Sequence, residues 1–302
     1  MRAAPSAEFR AALAHFPSDL ASPADTFEDV RRKFAPAHGH DPGGDVACEP
    51  VSVGGVRGVW VSPKGKPPAP GDAAILFLHG GALVSCSAAE YTFYAAWFVR
   101  ETGLRAFVVD YRRAPEHRFP AALDDCAAAH RGLVASGVAP ERIAFVGDSC
   151  GGGFVVTTML RLREQGVPQP ACGAALCGWL DAEVSGDSAL RPAGDDPFVN
   201  PVWLRARWRD YLGAGGDARS PLVSPIHADL QGLPPLLLQT GQLDTLRDDS
   251  LRLAAGAARD GVAVTLEVWP GMIHGFQGLY GTCPEPAWAV KHVAQFVARH
   301  VR

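Results

Sequence analysis

Ser149 stands in Gly147-Asp148-Ser149-Cys150-Gly151, a G-x-S-x-G match. An apolar run, 142–146, precedes it and a helix-like stretch, 151–165, follows. A serine on a tight strand-to-helix turn adopts a strained backbone, and only small neighbours fit at Gly147 and Gly151. Such a turn lifts the hydroxyl above the sheet, over a helix N-terminus that favours negative charge. The competing reading is a glycine-rich turn in which Ser149 only caps the helix. A serine hydroxyl is a weak nucleophile without a base. His274, in Gly271-Met272-Ile273-His274-Gly275-Phe276, follows an apolar run ending near Trp269 and fits that role. Of the other histidines, His15, His38 and His40 precede the strand pattern, and His292 and His300 fall on the last helix pattern.

A histidine base needs an acid to fix its tautomer and stabilise the imidazolium. Asp244 follows the apolar run 235–240 and lies thirty residues before His274. Asp248 and Asp249 compete, but they read as first-turn residues of a helix over 248–260, where acids favour the dipole. Attack on a carbonyl also needs donors for the developing oxyanion. His79-Gly80-Gly81-Ala82 directly follows the run 73–78, where glycines let backbone N–H groups approach a substrate. The N–H of Cys150 would complete that set, with its thiol incidental.

These candidates need a frame. Strands are expected at 55–61, 73–78, 105–110, 142–146, 173–178, 235–240 and 263–269, several as continuous apolar runs. Helices are expected near 6–16, 24–34, 88–101, 120–135, 151–165, 201–212, 248–260 and 285–300, with Ser22 or Asp25 capping the second. Alternation of this kind implies a mostly parallel sheet with helices on both faces, its site along the C-terminal strand ends. Residues 181–225, with Pro192, Pro197, Pro201, Pro221 and Pro225, break the rhythm. They read as an excursion that, with 1–45, forms a cap over the catalytic domain 46–302; an ordinary surface insertion is the plain alternative.

The chain has 302 residues, 47% of them hydrophobic, enough for one large core. A formal net charge of -4 with scattered Lys and Arg gives no nucleic-acid or anionic-membrane footprint. The first residues carry no apolar signal region, and no stretch approaches the ~18 apolar residues of a membrane span. Seven cysteines, an odd number without metal spacing, suggest reduced thiols in a cytoplasm. No cofactor or metal site is expected.

Together, His79-Gly80-Gly81, Gly147-Asp148-Ser149-Cys150-Gly151-Gly152, Asp244 and His274 resemble the hormone-sensitive-lipase-like family of esterases. So do Asp110-Tyr111-Arg112-Arg113-Ala114-Pro115-Glu116-His117, then Phe119-Pro120-Ala121-Ala122, and the stretch from Ser220-Pro221 to Gly232-Leu233-Pro234-Pro235. The resemblance spans roughly residues 50–300. It implies an α/β-hydrolase fold: a mostly parallel eight-stranded sheet, helices on both faces and a helical cap. It implies cofactor-free hydrolysis of short- to medium-chain carboxylic esters, and a homodimer. It also implies an oxyanion hole from the N–H groups of two among Gly80, Gly81 and Ala82, with Cys150. Ala82 replaces a third glycine and can still donate its N–H provided its φ is negative, since a β-carbon tolerates positive φ poorly. Leu83 stands where an aromatic is usual, Cys150 replaces a common alanine, Trp179 lacks the usual preceding proline, and Arg113 replaces a common leucine without evident reason. The same triad also cleaves amides or runs acyl transfer and lactone opening. A non-catalytic binding protein on this fold is the reading from another class, and an intact Ser149, Asp244 and His274 set argues against it.

Overall fold

The computed structural model describes residues 5–15, 20–65, 71–190 and 196–301. Eight strands form one sheet in the order β1-β2-β4-β3-β5-β6-β7-β8. They are β1 (Val46–Val53), β2 (Val56–Pro63), β3 (Ala74–Leu78), β4 (Arg105–Val109), β5 (Ile143–Asp148), β6 (Cys172–Leu176), β7 (Leu236–Gly241) and β8 (Val264–Trp269). The first two are antiparallel to their neighbours and the rest run parallel. Every residue of β3, β5, β6 and β7 is buried, as the apolar runs that open each of them require of strands covered on both faces.

Among the described residues the α-helices are α1 (Ala7–Ala14), α2 (Phe27–Ala37), α3 (Thr92–Thr102), α4 (Ala121–Ala135), α5 (Cys150–Glu164), α6 (Pro201–Leu212), α7 (Arg247–Arg259) and α8 (Pro284–His300). The chain steps from β3 to β4 in one direction and then back past β3 to β5. Right-handed crossovers therefore put α3 on one face, where it packs with α8, and α4 on the other, where it packs with α5. That reversal beside β3 opens a crevice at the carboxyl ends of β3 and β5.

Two expectations change. Strand β1 lies outside the segments expected as strands from the sequence. It is an outermost strand with only Val46 buried, so it shows little apolar alternation, and Pro50 is tolerated there. Its hairpin partner follows Gly54-Gly55, both at positive φ (62° and 80°), as a two-residue turn matched to strand twist requires. Helix α2 is capped by Thr26, not Ser22 or Asp25: Thr26 and Asp29 exchange side-chain-to-backbone bonds in a capping box, while Asp25 pairs with Lys33. The helix expected over 6–16 ends at Ala14, and residue 16, like Pro192, lies outside the described residues.

The N-terminal segment makes two different sets of contacts. Phe34 of α2 packs on Phe198 and Trp203 of the excursion, and Asn200 Nδ2 donates to the Ala21 carbonyl at 2.7 Å. Trp203, Trp208 and Tyr211 of α6 point inward and are buried. Helix α1 instead docks behind the His274 loop, where Phe9 joins Met272, Ile273, Phe276 and Ala289 in a smaller core, and Ser6 bonds Glu285 of α8.

The hairpin turn meets α4 backbone to backbone. A Cβ on Gly132 would fall onto the Gly54 amide. Alanine normally favours a helix interior over glycine by roughly 1 kcal/mol. Here we expect Gly132→Ala to destabilise the protein by about 1–3 kcal/mol, the usual range for overpacking. Urea denaturation checks this; an unchanged or raised midpoint would show that the hairpin does not press on α4.

Candidate active site

The carboxyl ends of four strands deliver the candidate residues to one place. Strand β5 runs into Ser149, whose φ of 54° and ψ of −126° are a strained pair for a residue with a side chain. Three backbone bonds hold it: its N–H donates to Leu176 at 2.8 Å, and its carbonyl accepts from Trp179 at 3.1 Å and from Gly153 at 3.3 Å. A Cβ on Gly147 would strike the Gly151 carbonyl, and one on Gly151 the carbonyls of Leu78 and His79. Both glycines are therefore demanded by backbone contact. Cys150 opens α5, so its N–H has no partner within the helix.

Ser149 Oγ lies 3.0 Å from His274 Nε2, and His274 Nδ1 lies 3.1 Å from Asp244 Oδ1. Asp244 is held in turn by the Leu246 N–H at 2.8 Å and the Thr240 hydroxyl at 3.1 Å. All three side chains are buried. Asp248 and Asp249 lie in the first turn of α7: the former pairs with Arg247 and the latter accepts the Leu180 N–H at 3.0 Å. Neither is hydrogen-bonded to the imidazole. Burial alone would push His274 down, but the carboxylates of Asp244, Asp196 and Asp148 outweigh it and hold the imidazole above its usual value. Burial would likewise raise Asp244, yet the imidazole beside it and its hydrogen bonds keep it below the ordinary range. The site is thus disposed to carry the charge pair that a proton moving from serine to histidine creates.

The loop after β3 differs from expectation in three respects. The Gly80 N–H is committed to Asp148 Oδ1 at 2.9 Å, so it is not an open donor. Ala82 has a positive φ of 57°, between Gly81 at 117° and Leu83 at 69°, where a negative value was expected. This left-handed turn folds the loop back over the start of α5; it costs roughly 1–3 kcal/mol per non-glycine residue and must be held by its surroundings. The holders are identifiable. The Cys150 thiol accepts the Leu83 N–H at 3.3 Å, so this side chain is not incidental. Arg31 of α2 donates Nε to the Val84 carbonyl at 2.7 Å and Nη2 to Ala114 at 3.1 Å, while pairing with Glu116 at 2.7 Å. Arg113, unexplained in the sequence, donates to the Cys86 carbonyl. The amides of Gly81, Ala82 and Cys150 remain as candidate oxyanion donors.

Asp148 shares its carboxylate between Gly80 and the Tyr91 hydroxyl, and burial pushes it up to about 7. His79 stacks on Tyr111 at 4.1 Å, and burial pushes it down to about 4, so it is a neutral packing residue. Cys177, Asp244 and His274 approach within 4.8 Å of one another, but both imidazole nitrogens are already engaged. In a second cluster, Asp181, Glu183 and His227, the Asp181 carboxylate is taken by Arg252, Ser185 and the Glu183 amide.

A cavity of about 200 Å³ opens on Ser149 and His274. Its apolar wall includes Leu20 and Phe34 from the N-terminal segment, Phe93 and Tyr94 from α3, and Phe198 from the excursion. His38, set aside in the sequence because it precedes the sheet, lines it too, stacked on Tyr91 at 5.1 Å. Asp196 and Phe198 were missed altogether. Their only signal was Asp196-Pro197-Phe198 inside an irregular stretch, which no spacing ties to the triad.

A sequence profile of the alpha/beta hydrolase fold matches residues 75–278. An acetyl-hydrolase of Streptomyces hygroscopicus is 35% identical over 85% of this chain and 83% of its own length. An esterase of Acinetobacter venetianus is 31% identical over 83% and 82%. The crystal structure of an esterase from the bacterial hormone-sensitive lipase family superposes with a TM-score of 0.92 at 37% identity, covering 99% of this chain and 100% of that one. Among the described residues no helix is long and apolar enough to cross a membrane.

Of the seven cysteines, Cys48 alone is exposed, and burial pushes the Cys150 thiol up to about 12. We therefore expect brief treatment of the native protein with iodoacetamide at neutral pH to give one adduct, on Cys48, and further adducts only after unfolding. Peptide mass mapping reads this out; rapid modification of Cys150 would show that the oxyanion loop opens to solvent.

Proposed function

Because the chain belongs to the hormone-sensitive-lipase-like branch of the α/β-hydrolase family, we propose that it hydrolyses carboxylic esters through an acyl-enzyme on Ser149. The observation that carries this reading is the unbroken chain of contacts from Ser149 Oγ through His274 to Asp244. In it, His274 Nε2 takes the serine proton as Oγ bonds to the ester carbonyl carbon. Asp244 accepts a hydrogen bond from the Nδ1–H and stabilises the imidazolium. The carbonyl oxygen, now negative, is held by the N–H groups of Gly81, Ala82 and Cys150. His274 then returns the proton to the departing alcohol, and a water repeats the sequence to release the acid.

The acyl group is short to medium in this reading. The cavity, about 200 Å³, lies below the ~300–1,000 Å³ of pockets for drug-sized ligands. Phe34 and Phe198 meet at 5.9 Å across the two cap segments and limit its reach. An open groove would add about 0.8 kcal/mol per methylene without limit; a closed one adds it only until the wall is met.

Two experiments test this. Ser149→Ala should lose on the order of 10⁶ in kcat toward p-nitrophenyl butyrate. Asp244→Asn should lose up to ~10⁴, far more than Asp248→Asn. A Ser149→Ala protein keeping a tenth of wild-type turnover would sink the assignment. Across p-nitrophenyl esters, kcat/KM should peak between roughly C2 and C8 and then fall, since each further methylene gains its ~0.8 kcal/mol only inside the cavity. A palmitate cleaved better than the butyrate would make the enzyme a true lipase.

A further inference from the structure

The excursion after β6 brings a carboxylate against the triad that the steps above do not use. Asp196 is buried, 8% exposed, and gathers three backbone N–H groups. Its Oδ2 accepts from Thr245 at 3.0 Å and from His274 at 3.3 Å, and its Oδ1 accepts from Phe198 at 3.0 Å. Thr245 directly follows Asp244. One oxygen therefore fastens the loop that carries the acid to the loop that carries the base. The same segment makes two further contacts there. The Phe198 ring stacks on the imidazole, 5.6 Å between centroids and 26° between planes, and the Thr245 hydroxyl donates to the Val199 carbonyl at 3.0 Å.

The structure assigns Asp196 as a positioning residue: its carboxylate keeps the Asp244 and His274 loops in register and, as an anion, favours the imidazolium formed when Ser149 gives up its proton. This rests on the esterase reading above. The charged groups facing the imidazole are Asp244 from the loop after β7, Asp148 from the end of β5 and Asp196 from the excursion. The Cys177 thiol faces Asp244. Burial, with the negative charge of Asp244, pushes Asp196 up to about 6, so it is largely ionised at neutral pH. A carboxylate is the economical choice for this place: it only accepts, and every polar partner it has is a donor. Phe198, not Asp196, lines the substrate cavity, so loss of the carboxylate should act on turnover more than on binding.

The test uses two variants of the full chain with p-nitrophenyl butyrate. In Asp196→Asn the amide can turn its oxygen toward Thr245 and His274, keeping the bridge and removing the charge. The acid limb of the kcat/KM profile reports the free enzyme's base. With one anion fewer beside His274, that limb should move to lower pH by roughly half a unit or more. Asp196→Ala leaves three amides without an acceptor; kcat should fall roughly 10²-fold, as for a small misplacement of reacting groups, with KM little changed. An unmoved limb in Asp196→Asn, or wild-type kcat in Asp196→Ala, would overturn the inference and leave the triad standing. Should the alanine variant fail to fold, the asparagine profile decides alone. A wild-type profile without any acid limb would overturn the esterase reading and this inference with it.

Discussion

The contact on which the rest depends is between backbones. The turn that carries Ser149 presses against the end of β3 so closely that neither Gly147 nor Gly151 has room for a methyl group. A side chain at either place would drive β3 and β5 apart. Their separation sets where the β3 loop can offer its amides relative to the serine hydroxyl. The strained φ and ψ of Ser149 follow from the same closeness, and the parallel sheet supplies the rigidity that sustains them. Buried strands on both sides thus serve as a vice for a turn that would not hold its shape alone.

Around this turn the protein gathers three buried carboxylates near one imidazole, an arrangement that would repel itself if left bare. Each is provided with donors of its own: Gly80 and Tyr91 for Asp148, Leu246 and Thr240 for Asp244, Thr245, Phe198 and His274 for Asp196. Burial pulls in the other direction and pushes Asp148 and Asp196 up to about 7 and about 6, while Asp244, in direct contact with the imidazole, stays low. The site therefore divides its charge unevenly. The carboxylate held low is the one in contact with the imidazole.

The legible parts of the sequence were those governed by local rules. Continuous apolar runs marked the buried strands, and a glycine pair around serine marked the turn, because steric exclusion acts between near neighbours. Strand β1 was hidden because, at the edge of the sheet, only Val46 is buried, so no apolar alternation marks it. The left-handed Ala82 was misjudged because its conformation is set by Arg31 and Cys150, remote in sequence. Asp196 left no trace at all: its partners are backbone amides, which every residue possesses, so no pattern of side chains announces it. His38 was passed over for a similar reason, since only the folding of the N-terminal segment across the sheet brings it to the cavity.

Arg31 joins the N-terminal segment to the loop after β3. It projects from a helix of the N-terminal segment, yet its guanidinium ends on the Val84 carbonyl, in the loop after β3. Phe34, one turn further along the same helix, forms part of the cavity wall. The cavity wall beside Ser149 and the brace on the loop after β3 are consequently mounted on one rigid rod. Chimeras that exchange this segment between related enzymes, in the hope of reshaping the cavity alone, would disturb that loop as well.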